Sequence, residues 1–327
     1  MERRAFDRLG RRVSVVGLGT WQLGGDWGEV PEAAARQVLD AAVESGVDFL
    51  DTADVYGDGR SERLIGRYLR DRPDARPLVA TKMGRRAEQL PEHYTLDNFR
   101  AWTDRSRANL GVDRLDLVQL HCPPTAVLAS DAVYDALDTL VAEERVAGYG
   151  VSVETCAQAL TALARPGVAS LQIILNPFRR KPLERVLPAA AAAGVGVIVR
   201  VPLASGLLSG RYTEATVFAD GDHRTFNRHG EAFDQGETFS GVDFATGVAA
   251  AAEFAALLPT AVSPAAAALR WAVQQPGVTS VIPGARSAEQ ARANAAAADL
   301  PALDEATLAA VADLYDRRFR AQVHHRW

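Results

Sequence analysis

Short apolar runs rich in β-branched residues recur along the chain, and each is followed by a stretch whose apolar positions repeat at helical spacing. The runs are VSVVGLG (13–19), VDFLD (47–51), LVATK (78–82), LDLVQLH (115–121), GYGVS (148–152), SLQIIL (170–175), GVIVRV (196–201) and TSVIPG (279–284). Between them lie amphipathic segments such as PEAAARQVLDAAVES, stopped by Gly46, and LDNFRAWTDRSRANLG. Near-continuous apolar strands separated by helices predict a parallel sheet covered on both faces. Eight such units in 327 residues predict a closed (β/α)8 barrel, an α/β TIM barrel, rather than an open sheet. No shift in composition marks a boundary, so a single domain over residues 1–327 is expected.

Three segments fall outside the repeat. Residues 1–16 predict a β-hairpin turned at Leu9 and Gly10 and placed to plug the barrel's bottom. Residues 204–242 form a long polar, glycine-bearing insertion after the seventh strand, on the barrel face where lids and binding loops are built. The tail, 321–327, reads as solvated, and the adjacent His324 and His325 do not by themselves make a metal site.

Composition narrows the class. Hydrophobic residues are 48% and charged residues 24%, and the net charge of −5 contains no long block of one sign. A nucleic-acid or acidic-lipid partner is therefore not expected. The longest apolar run, LPAAAAAGVGVIV from Leu187, is too short to span a bilayer, and the N-terminus lacks the apolar core of a signal peptide. A cytoplasmic protein with no membrane partner is the expectation, with oligomeric state left open. Cys122 and Cys156 give neither a disulfide framework nor metal spacing. Of 36 basic residues only Lys82 and Lys181 are lysines. A lysine kept against that background marks a place where arginine, wider and unable to release its proton, does not serve.

Four candidate residues gather at one barrel mouth if the strands are placed correctly. Asp51 closes the second strand in FLDTADVYG and Tyr56 follows on its loop; Lys82 closes the third strand and His121 the fourth. A phenol titrates near pH 10, and a neighbouring ammonium favours its anion, which predicts a lowered value and a workable proton donor in Tyr56. Asp51 keeps Lys82 cationic, and a neutral His121 orients a carbonyl oxygen toward Tyr56. The set protonates an oxygen that is becoming negative but supplies no nucleophile, so hydride from a nicotinamide is the natural complement. Two rival readings exist. A metal-dependent hydrolase using His121, Asp51 and Asp54 needs a second close histidine that the chain does not offer. A cofactor-binding regulatory subunit on the same barrel would share the site but turn over little.

The ordered motifs DTADVYGDGRSE, ATKMG, LDLVQLHCP, GVS, LQIILNPF, PLASGLLSGRY and IPGARSAEQARAN resemble the aldo-keto reductase superfamily over nearly the whole chain. The long loop is closest in pattern to bacterial members related to potassium-channel β-subunits. The resemblance implies NADPH-dependent reduction of small aldehydes or ketones, with NADH as the alternative cofactor, and no metal. It maps the catalytic four onto Asp51, Tyr56, Lys82 and His121. It implies cofactor contacts from Gly19, Thr20 and Trp21, from Ser152 and Gln172, from Arg200, Pro202, Leu203, Gly206, Leu207 and Arg211, and from Gly284, Arg286, Gln290 and Asn294, with Arg224 as a further candidate. Trp21, Val55 and Trp327 are expected to line the substrate pocket. Two positions depart from the family pattern. Val153 replaces an asparagine that grips the nicotinamide carboxamide, and Arg200 replaces a stacking aromatic ring. A free guanidinium at Arg200 would favour the neutral reduced ring over the cationic oxidised one.

Overall fold

The computed structural model describes residues 1–25 and 30–327. The chain opens with an antiparallel hairpin of β1 (Arg3–Phe6) and β2 (Arg11–Ser14), turned through Gly10 at a left-handed φ of 60°. Eight parallel strands follow in chain order around a barrel. They are β3 (Leu18–Gly19), β4 (Phe49–Asp51), β5 (Leu78–Met83), β6 (Leu117–His121), β7 (Tyr149–Ser152), β8 (Val168–Ile174), β9 (Gly196–Arg200) and β10 (Ser280–Val281). Main-chain bonds close the seam, from Gly17 N to Val281 O at 2.8 Å and from Gly19 N to Pro283 O at 3.1 Å. Helices on the outside include Glu32–Glu44, Arg60–Asp71 and Leu96–Leu110. The first and last strands are shorter than the patterns at 13–19 and 279–284 suggest. Residues 11–14 are taken by the hairpin, and Pro283 has no N–H with which to extend a ladder.

Alternation along the strands sorts the interior into layers. Phe49, Ala80, Leu117 and Ile198 meet Phe6 and Val13 of the hairpin in one buried cluster, so the hairpin does plug the bottom. The rings of Phe6 and Phe49 stand edge to face at 6.3 Å. Gly196 is required here, because a Cβ would overlap the Phe6 ring. Two residues further along the same strands come Asp51, Lys82, Gln119 and Arg200. The apolar layer thus ends where the polar one begins, and the polar layer opens toward the C-terminal ends of the strands.

The insertion after β9 is ordered. It contains 3-10 turns at Ala204–Ser209 and Phe239–Gly241 and a short helix, His223–Phe226. Phe218, Phe239 and Phe244 pack together beneath it. Val201, Ala204 and Ser205 have φ of 51°, 47° and 54°, a region costly for any side chain and most of all for a β-branched one. Hydrogen bonds hold this turn: Asn176 Nδ2 donates to Val201 O at 2.9 Å, and Ser205 Oγ donates to Glu237 O at 2.9 Å.

The tail differs from the expectation of a solvated segment. It turns through Arg320–His324, where His324 Nδ1 lies 3.0 Å from Tyr315 Oη. Trp327 is only 6% exposed. Its ring lies 4.0 Å under the Arg179 guanidinium, and its Nε1 donates to Asp234 Oδ1 at 3.3 Å. It presses on Gly236 and Gly241, neither of which has room for a Cβ. Trp327 therefore backs the insertion from behind and does not line the cavity described below, because Arg179 gives its face an apolar and cationic partner away from the mouth.

Candidate active site

The opening at the C-terminal ends of the strands leads to a cavity of about 510 Å³. At its inner end Lys82 Nζ donates to Asp51 Oδ1 at 2.5 Å and to Thr52 O at 2.9 Å, and it lies 3.3 Å from Tyr56 Oη. The four sequence candidates are brought together: the Tyr56 and His121 rings are 5.9 Å apart, nearly perpendicular. Trp21 stacks on Tyr56 at 6.0 Å. Two glycines position Tyr56. Gly57 takes φ of 58°, and a Cβ there would overlap Gly24 O, so the loops after β3 and β4 interlock through backbone alone.

The second oxygen of Asp51 is held as well. Gln172 Nε2 donates to Oδ2 at 2.7 Å and Gln119 Nε2 at 3.3 Å, and Ser170 Oγ donates to Gln119 Oε1 at 3.4 Å. Gln119 was not among the sequence candidates. Its signal is a polar side chain inside LDLVQLH, two residues before His121 and therefore on the same inward face.

Burial dominates the electrostatics. It raises the Tyr56 phenol above its ordinary value, with the Lys82 ammonium opposing and losing. This corrects the expectation of a lowered phenol. Burial also works against the Lys82 ammonium, but attraction to Asp51 and Tyr56 prevails and holds it above its usual value. Burial, with Arg85, Lys82 and Arg200 nearby, pushes His121 well below the ordinary range, so the imidazole is neutral at physiological pH. Its Nδ1 is buried with no hydrogen-bond partner among the described residues. Asp54 lies outside the cavity lining and is fully buried, with no hydrogen-bond partner for either carboxylate oxygen among the described residues. Burial, aided by Glu62 and opposed by Arg86 and Arg105, pushes its carboxyl up to about 7.

Most cofactor candidates line the cavity: Gly19, Thr20, Trp21, Gln172, Arg200, Pro202, Leu203, Gly206, Arg211, Gly284, Arg286, Gln290 and Asn294, with Arg224 beside them. Ser152, Leu207 and Val55 do not, and Lys82 lies just behind the surface. Ser152 is fully buried, its Oγ 3.4 Å from Cys122 Sγ, while Leu207 packs in the core. Of the expected carboxamide partners only Gln172 borders the cavity, and its amide nitrogen is already given to Asp51.

Arg200 is not a free cation. Its Nη2 donates to Glu154 Oε2 at 2.8 Å and to Val153 O at 3.0 Å, and its Nη1 lies 2.7 Å from Glu237 Oε2. Two carboxylates offset one guanidinium, which removes the charge argument for a reduced-ring preference. Cys122 Sγ and these carboxylates approach within 4.8 Å, but Arg200 occupies both acids. Glu237 comes from the far end of the insertion, where nothing in the local pattern signals that it reaches β9.

The model of the aldo/keto reductase family matches residues 15–316. An uncharacterized oxidoreductase, Rv2298, of Mycobacterium tuberculosis (strain ATCC 25618 / H37Rv) is 33% identical over 305 residues, covering 90% of this chain and 87% of its own. The solved glycerol dehydrogenase AKR11B4 from Gluconobacter oxydans superposes with a TM-score of 0.79 at 28% identity, over 97% of this chain and 95% of that one. An aldo/keto reductase from Klebsiella pneumoniae, solved in complex with NADP and acetate, gives 0.66 at 25%, over 94% and 93%. A match that runs from the seam of the barrel to its last helix, over this fold and this cavity, makes the chain a member of the aldo/keto reductase family.

Proposed function

We propose that this protein reduces the carbonyl group of small aldehydes or ketones with NADPH, and that Tyr56 is the proton donor. The observation that carries the reading is the 3.3 Å approach of Tyr56 Oη to Lys82 Nζ at the closed end of the cavity. The donors along the cavity suit a phosphorylated dinucleotide. Arg211 and Arg286 expose guanidiniums to it, and Gly284 begins the turn into the helix Ala288–Ala296, whose Gln290 and Asn294 face the same space. The Klebsiella pneumoniae relative bound to NADP supports the same choice. NADPH, when bound, supplies the hydride.

The chain's own residues supply the rest. A raised phenol stays protonated through the physiological range and so remains a donor. Lys82, fixed by Asp51 and Thr52 O, stabilises the phenolate left after transfer. Neutral His121 turns a carbonyl oxygen toward Tyr56 Oη, and the Gln119 and Gln172 amides keep Asp51 from turning away from Lys82. Oxidation of NADPH by a panel of aldehydes, ketones and sugars tests the proposal. Tyr56→Phe should lower kcat by about 10²–10⁴-fold, the usual worth of a positioned acid, with NADPH affinity retained. No turnover on any carbonyl, or a Tyr56→Phe enzyme as fast as the native one, would refute it.

A further inference from the structure

Arg85 stands three residues past Lys82, on the loop leaving β5, and lines the cavity together with Tyr56 and His121. Its Nε donates to the main-chain oxygen of His121 at 3.2 Å, which pins the guanidinium beside that residue. Its Nη2 is 3.5 Å from Glu154 Oε1, while the other oxygen of the same carboxylate is taken by Arg200 at 2.8 Å. The terminal nitrogens of Arg85 make no hydrogen bond within the described residues. Of the other guanidiniums lining the cavity, Arg200 sits between Glu154 and Glu237 and Arg224 is paired with Asp222, while Arg211 and Arg286 are the two assigned above to the cofactor. Arg85 is also the more open of the inner pair, its side chain 22% exposed against 8% for Arg200.

We propose that Arg85 binds a carboxylate on the substrate, so that the protein acts on aldehydes or ketones that carry one. The proposal rests on the carbonyl-reduction reading above. A planar fork with unused N–H groups matches a carboxylate bidentately. A monoanion fits better than a doubly charged phosphate, because Glu154 and Glu237 lie close by. The bound carboxylate takes over the loose Glu154 contact. Since Arg85 holds the main chain of the residue whose ring faces Tyr56, acid and carbonyl are separated by a short chain or one ring. Trp21 and Phe233, 5.9 Å apart and both lining the cavity, give such a ring an apolar wall. Nothing in ATKMGRR distinguishes Arg85 from a surface arginine; only the fold brings it to His121.

The test compares 4-carboxybenzaldehyde with its methyl ester in the presence of NADPH. The native protein should favour the acid in kcat/KM by about tenfold or more, the worth of one charge-assisted fork, expressed mainly in KM. Arg85→Met should bring the ratio down to about one, and Arg85→Lys should keep part of the preference. A native ratio of one or less overturns the proposal, and so does a ratio that Arg85→Met leaves unchanged. An equal fall for both substrates does the same, since it marks a group that merely holds His121. Faster turnover of 4-formylphenyl phosphate overturns the choice of a monoanion. If neither aldehyde consumes NADPH, the reduction reading stands or falls with the wider carbonyl panel, and the carboxylate site is decided separately by calorimetric titration with 4-(hydroxymethyl)benzoate. Saturable binding weakened about tenfold by Arg85→Met upholds it; binding that is absent or indifferent to Arg85 overturns it.

Discussion

At the scale of single residues, the centre of the molecule is an ion pair that burial makes costly to break. Lys82 and Asp51 are both almost wholly buried, so removing one partner strands the other charge in a poor solvent. Lys82→Met should therefore cost about 3–5 kcal/mol of stability as well as most of the activity. Adding Asp51→Asn should restore much of the stability and none of the turnover. Denaturant midpoints and NADPH oxidation on the two variants check this; a double variant no more stable than Lys82→Met would contradict it. The residues of this centre were legible because three lie at strand ends and one of only two lysines is among them. Gln119 was overlooked because a buried glutamine gives no chemical signal until its partner Asp51 is known. The direction of the Tyr56 shift was misread for a related reason: sequence names the neighbouring ammonium but not the depth of burial that outweighs it.

At the scale of elements, the eight-fold alternation of strand and helix was readable from hydrophobic spacing, and the hairpin from its turn. The course of the insertion was not. Its contacts span long separations in the chain: Glu237 reaches Arg200, Ser240 reaches Asn176, and Asp234 reaches Trp327. No local pattern encodes such pairings. The arrangement makes the tail a brace for the segment that closes one side of the cavity. Trp327→Ala should thus loosen residues 234–241 selectively while the barrel stays folded, because the lost contacts include Asp234, Gly236 and Gly241 of the insertion and Arg179 behind it. Amide hydrogen exchange is the readout. Faster exchange confined to the insertion is expected, with quicker release of NADPH, and unchanged protection there would show that the brace does not act.

For the whole molecule, the two ends of the barrel carry different duties. The bottom is closed by Phe6 and its apolar layer, the top by groups whose charges must be reconciled. Asp54 lies among the latter and taxes global stability in a pH-dependent way. Its carboxyl titrates at about 7 in the fold against 3.8 when unfolded. Between those values the folded protein holds a proton that the unfolded chain has released, so stability falls as pH rises from about 4 to 7 and levels off above. The full cost is up to about 4 kcal/mol. Asp54→Asn removes that slope, and urea midpoints of the two proteins should diverge in the variant's favour as pH rises; parallel profiles would disprove it.

The left-handed turn at Val201, Ala204 and Ser205 sits on the cavity wall, with Val201 and Ser205 facing inward. A laboratory search for heat-tolerant variants, scoring survival alone, would be drawn to Val201→Gly and its neighbours, where relaxing the backbone is an easy gain. Such winners would reshape the wall of the proposed active site. Selection for robustness in this protein therefore needs turnover scored alongside it from the first round.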